Sequence, residues 1–251
     1  MAGITKESET LPPQPTRLRL RWVGQLTSWL VMLMVPVLLV LLSVRLVMTP
    51  LFLELEYNRP GFPEDRYGMT QAERLMYAPR VLNYLLNDAE ISYLADMTFP
   101  DGRQMFNARE LRHMVDVKVL TRAAYMLLLT GGLFTVVLSV VLMRYDHARW
   151  IIFNGLFNGA ALTLGLIGAI VLMALLAWDT FFTGFHTLFF EAGTWRFAYS
   201  DTLIRLFPER FWFDAALTIG ILTSIGAALI LISTWRRGSL IKRLRAPITR
   251  A

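Results

Sequence analysis

The chain has 251 residues, 55% of them hydrophobic and 18% charged, with a mean hydropathy of +0.47. One soluble core cannot absorb that composition without leaving large apolar patches in water, which argues for lipid as the solvent. The chain has no cysteine, which excludes a disulfide, a thiol nucleophile and a Cys-ligated metal.

Residues 1–21 are polar, contain Pro12, Pro13 and Pro15, show no apolar periodicity, and read as a disordered tail. Four stretches then lack Asp, Glu, Lys and Arg: 22–44, 123–143, 150–178 and 215–235. Crossing a hydrocarbon core of about 30 Å takes roughly 20 helical residues, so each run is long enough. Backbone amides in lipid must be satisfied within the segment, so these runs are expected to be helices. The first has no small-x-small cleavage site before Arg45 and reads as an uncleaved anchor. The expected order is tail 1–21, span 22–48, cap 49–115, span 116–143, turn 144–149, span 150–178, aromatic-rich segment 179–213, span 214–235 and basic tail 236–251.

The cap carries its own signals. Residues 57–68 (YNRPGFPEDRYG) are loop chemistry, and Thr70 with Glu73 is a capping box opening a helix through Leu75, Leu82, Leu85 and Leu86 to about Asn87. Pro79 predicts a kink or a later start. Residues 91–94 and 104–106 flank Pro100-Asp101-Gly102, a hairpin signal. Asn107 with Glu110 is a second capping box, after which the cap's last helix and the second span read as one rod. Glycines in spans two to four, such as Gly155, Gly159 and Gly220, would permit close helix approach. The fold class expected is an all-α membrane protein of four transmembrane helices with a small mixed α/β extracytoplasmic cap.

The terminal tails and the 144–149 turn, which an even number of spans puts on one side, hold 12 basic and 3 acidic residues. By the positive-inside rule they face the cytoplasm, at an inner (plasma) membrane. The charge of +6 thus reports topology and contact with the lipid bilayer, not nucleic-acid binding.

Residues 179–214 hold twelve aromatic side chains, either an interfacial belt or the wall of a confined apolar chamber. Of three histidines, His147 sits in the 144–149 turn and reads as a solvated loop residue. His113 lies six residues before Val119, roughly 9 Å further out at 1.5 Å per residue, with Glu110 and Asp116 at i−3 and i+3. A neighbouring carboxylate can prepare an imidazole as general base, though a surface salt-bridged histidine has the same spacing. His186 follows the third span among aromatics, and topology puts both histidines on one side at similar depth with Arg122, Asp179 and Asp214. Charge near the bilayer marks functional candidates.

Phe185-His186-x-Leu188-Phe189-Phe190, Trp195, Asp201-Thr202-Leu203-Ile204-x-Leu206-Phe207-Pro208 and Arg109-Glu110-Leu111-x-His113-Met114-x-Asp116-Val117 resemble a bacterial integral membrane family. That family includes the lipoprotein intramolecular transacylase. The resemblance implies a four-span enzyme with two catalytic histidines, His113 and His186 here, at the cap-membrane interface. Such an enzyme moves the sn-2 acyl chain of a diacylglyceryl-cysteine lipoprotein onto the cysteine's own α-amino group, which makes diacylated lipoproteins the implied partners. No cofactor and no metal are implied.

Ester-to-amine transfer needs a base, an oxyanion stabiliser and an acid for the leaving alkoxide. The expectation is His113 as base, oriented by Asp116 or Glu110, and His186 as proton donor, with the roles open to exchange. Trp195, Phe189 and Phe190 are the candidate chamber wall, with Arg122 and Asp201 as further substrate-binding candidates. Two other readings compete: a metal site built from both histidines and a carboxylate, and a non-enzymatic scaffold or receptor whose cap binds a partner.

Overall fold

The computed structural model describes residues 14–244 except 147 and 192, and side chains within 22–235. The described residues form nine helices: α1 (Gln14–Val47), α2 (Pro50–Tyr57), α3 (Gln71–Leu86), α4 (Ser92–Ala95), α5 (Ala108–Met143), α6 (Arg149–Leu176), α7 (Trp178–Phe189), α8 (Thr202–Leu206) and α9 (Glu209–Leu244). Four of them contain stretches long and apolar enough to cross a membrane: Trp22–Val47, Ala108–Met143, Arg149–Leu176 and Glu209–Trp235. The protein is therefore a multi-pass membrane protein, embedded in a lipid bilayer.

The mixed α/β cap is not found. Among the described residues there is no strand, only an isolated antiparallel bridge between Thr98 and Gln104. The turn at Pro100-Asp101-Gly102 forms, with the Gly102 amide donating to the Phe99 carbonyl at 2.9 Å and Gly102 at φ +83°. Its arms end after one bridge because residues 92–95 coil into α4 and Asn107 caps α5. Two other expectations change. The helix capped by Thr70 and Glu73 starts at Gln71, not after Pro79, and continues through Pro79 to Leu86, and α1 begins at Gln14, inside the stretch read as a tail. Residues 1–13 and 245–251, and His147, lie outside the described residues.

Small residues set the packing of the spans. A Cβ on Gly155 would meet the Ser28 carbonyl and Val31 at 2.8 Å, and one on Gly159 would meet the Met32 carbonyl and Val35 at 2.8 Å. The glycines one turn apart on α6 thus let the backbone of α1 come into contact, as small-xxx-small faces do in lipid. Polar side chains bridge the same helices: Thr223 on α9 donates to Ser43 on α1 at 2.9 Å, and Asn154 on α6 to Ser28 at 3.2 Å.

The cap has its own apolar core, built from both inter-span segments. Leu53, Tyr57, Val81, Tyr84, Leu94 and Phe106 from the first pack with Leu203, Leu206 and Phe207 from the second. Side-chain bonds to α8 carbonyls lock the two together. The Tyr57 hydroxyl donates to the Leu206 carbonyl at 2.8 Å, and Nε of buried Arg74 to the Arg205 carbonyl at 2.9 Å. Asp65 accepts from Arg205 at 3.0 Å, an ion pair that holds its carboxyl below the usual range.

Candidate active site

The start of α5 is where the two segments meet. Asn107 accepts from the amides of Arg109 and Glu110, and Glu110 Oε2 accepts from the Asn107 amide at 2.8 Å, which completes the capping box. The other oxygen of Glu110 accepts from the Leu203 amide at 2.7 Å, leaving the residue 1% exposed. Thr202 donates to the Met105 carbonyl, and Asp201 accepts from Asn107 at 3.2 Å and from the Ala198 amide at 2.9 Å. Arg109 reaches the Arg196 carbonyl at 3.3 Å. These bonds staple residues 196–203 across the first turn of α5 and bring Phe197 against His113.

The other half comes from α7. The chain breaks at Ala177 (φ −148°, ψ 61°) and resumes as a helix whose start is pinned by Trp178 against Phe213 of α9, ring centroids 5.2 Å apart. His186 lies in its last turn, and its Nδ1 is 2.7 Å from the Phe182 carbonyl. A carbonyl only accepts, so Nδ1 carries the proton and the neutral ring keeps its lone pair on Nε2.

The rings of His113 and His186 have centroids 6.3 Å apart and an interplanar angle of 25°. Phe190 (5.0 Å) and Phe197 (5.3 Å) stand edge-on to His113, while Phe182 (4.1 Å) and Trp195 (4.7 Å) lie tilted against His186. Burial lowers the His186 pKa below the ordinary histidine value. Two ring nitrogens in this enclosure, Nδ1 of His113 and Nε1 of Trp195, are buried without a hydrogen-bond partner.

The remaining candidates lie elsewhere or do other work. Glu110 does not orient His113, because both of its oxygens are held by backbone amides. No carboxylate bonds Nδ1 of His113, Asp116 included. Arg122 follows His113 by nine residues, about half a turn out of phase on α5, and pairs with Asp88 at 2.8 Å. Phe189 packs on Phe185 at 5.0 Å, half-exposed. Asp201 holds the stapled loop together. Among the described residues, no three His, Asp or Glu side chains are grouped to hold a metal ion. Phe182 and Phe197 were not singled out from sequence. The first was findable at i−4 from His186, whereas the second has no local signal.

Four apolar helices beneath a helical cap define a class of multi-pass membrane protein, and solved structures share it. The fold matches the membrane integral lipoprotein intramolecular transacylase Lit from Bacillus cereus with a TM-score of 0.66 and 22% identity, covering 89% of this chain and 99% of that one. A form of that enzyme with one histidine changed to alanine matches at 0.65 and 20%, covering 91% and 99%. Residues 29–212 match the family described as lipoprotein intramolecular transacylase Lit, and the chain belongs to that family of bacterial membrane proteins. An uncharacterized protein of Aquifex aeolicus is 31% identical over 209 residues, 83% of this chain and 93% of that protein.

Proposed function

We propose that this chain is an acyltransferase that moves the sn-2 acyl chain of a diacylglyceryl-cysteine lipoprotein onto the α-amino group of the same cysteine. The observation that carries the reading is the pair of imidazoles 6.3 Å apart inside an aromatic enclosure. The substrate brings both reacting groups, so the enclosure has to fold it and exclude water. Such positioning supplies about 7–11 kcal/mol of barrier at its upper end.

The amine nitrogen adds to the ester carbonyl carbon, a C–N bond forms, and the carbonyl electrons move onto oxygen. Nε2 of His186, whose lone pair is left free by the bond from Nδ1 to Phe182, takes the amine proton. The tetrahedral species collapses by breaking the bond to the sn-2 oxygen, which receives that proton and leaves as a hydroxyl. His113 donates a ring N–H hydrogen bond to the leaving oxygen. This assignment exchanges the roles expected from spacing, because it is His186 and not His113 that has its tautomer set.

In this reading the cap faces outward and both termini lie in the cytoplasm, as the 12 basic residues against 3 acidic ones in the tails and turn support. The partners are bilayer lipid and diacylated lipoproteins. Mass spectrometry of lipoprotein N-termini, from cells with and without the chain, is the test. N-acyl lyso-forms should appear with the native chain and vanish with His113→Ala or His186→Ala at equal membrane abundance. Undiminished lyso-forms in both variants would remove the mechanism.

A further inference from the structure

Trp195 is 8% exposed, yet its indole N–H has no hydrogen-bond partner. A donor taken out of water without an acceptor is costly, and buried tryptophans ordinarily find one. Phenylalanine would offer an aromatic ring here without that cost, and Phe182, Phe190 and Phe197 already do so around the same histidines. The unpartnered N–H belongs to a ring 4.7 Å from the imidazole of His186.

The acyl-transfer chemistry has one unfilled requirement. Nδ1–H of His186 is committed to the Phe182 carbonyl, its Nε2 accepts the amine proton, and His113 serves the leaving oxygen. Neither histidine is then left to stabilise the negative charge that gathers on the carbonyl oxygen. A donor aimed at the place where charge develops is the arrangement that lowers such a barrier most. We infer that the indole N–H of Trp195 donates to the ester carbonyl oxygen as it becomes the oxyanion, a role that rests on the acyl-transfer reading.

Arg196 acts through that ring. Its guanidinium lies over the Trp195 indole at 5.2 Å, and its carbonyl accepts from Arg109 at 3.3 Å, which ties the backbone beside Trp195 to α5. A cation on the face of the indole draws electron density from it and strengthens the N–H as a donor. Arg196 is thus a positioning residue.

The test uses the purified full chain in lipid nanodiscs and a synthetic diacylglyceryl-cysteine peptide. Replacing Trp195 with benzothienylalanine keeps the bicyclic shape and removes only the N–H. The expected result is a fall in kcat of about 100- to 1000-fold with KM within about twofold of native, and recovery with 7-azatryptophan, which restores the N–H. If the benzothienyl variant fails to accumulate, Trp195→Phe carries the same expectation. Native kcat in the N–H-deleted chain, beside an inert His186→Ala, overturns the oxyanion role and leaves the transacylase reading standing. A native chain inert toward the peptide overturns both.

Discussion

The proposed role of His186 as a base rests on one backbone carbonyl and on its burial. Burial lowers its pKa, so the ring stays neutral below the ordinary histidine value of 6.5. The rate of transfer against pH should therefore fall on an acid limb centred below 6.5. A limb centred at or above 6.5 would contradict the burial argument. The linkage has the same sign: the unfolded chain takes up this proton first, so the contribution to stability is complete above about 6.5 and is lost as pH falls toward the lowered value. The spacing of Glu110 from His113 suits a catalytic partner, whereas in the fold it is a double backbone acceptor. Glu110→Ala strands the Asn107 and Leu203 amides and should cost roughly 1–3 kcal/mol for each amide left buried, seen as a lower Tm of the detergent-solubilised protein. An unchanged Tm would return Glu110 to the catalytic candidates.

Helices were legible where a local device announced them. The capping boxes at Thr70 and Asn107 are in place, and α5 runs unbroken from cap to membrane because no Gly or Pro interrupts its first six turns. α7 was not legible. It starts at Trp178 behind Ala177, which offers no capping side chain, and Phe, Thr, Gly and His are modest helix formers, so tertiary contacts such as Trp178 on Phe213 account for it. Glycine spacing, by contrast, carried packing information through geometry alone. Gly155→Val would drive a branched side chain into the Ser28 carbonyl and Val31. The cost should be about 1–3 kcal/mol of overpacking, read from unfolding in mixed micelles, while the same change at Gly165, where a Cβ meets nothing, should cost much less. Equal effects at both positions would mean that α1 and α6 do not approach as described.

At the scale of the molecule, four spans follow from run length and charge, but the joining of segments 50–111 and 195–211 into one cap does not. Pairings such as Tyr57 with the Leu206 carbonyl span 149 positions and leave no periodic trace in a single sequence. The same holds for the cluster that ties α2 to α9, where Asp214 pairs with Arg59 at 2.7 Å and Arg210 at 2.6 Å beside buried Glu56. Burial, then the hydrogen bond to Asp214, push the Glu56 carboxyl up to about 7. The unfolded chain releases that proton near 4.5, so this contribution to stability declines as pH rises from there through 7. Glu56→Gln needs no proton and should melt higher than native at pH 8 but not at pH 5; a pH-independent difference would contradict the assignment.

Sidedness is testable because the chain has no cysteine. A single cysteine at exposed Ser200 should react with an impermeant maleimide in intact spheroplasts, and one at Arg144 only after permeabilisation. The most direct test of intramolecular acyl transfer is the fate of the acyl chain itself. Purified protein is incubated with a diacylglyceryl-cysteine peptide carrying a ¹³C-labelled sn-2 chain, and the products are fragmented by mass spectrometry. Label is expected on the cysteine nitrogen of the same molecule, with a free sn-2 hydroxyl. Label left on the glyceryl group or released as free acid would contradict it.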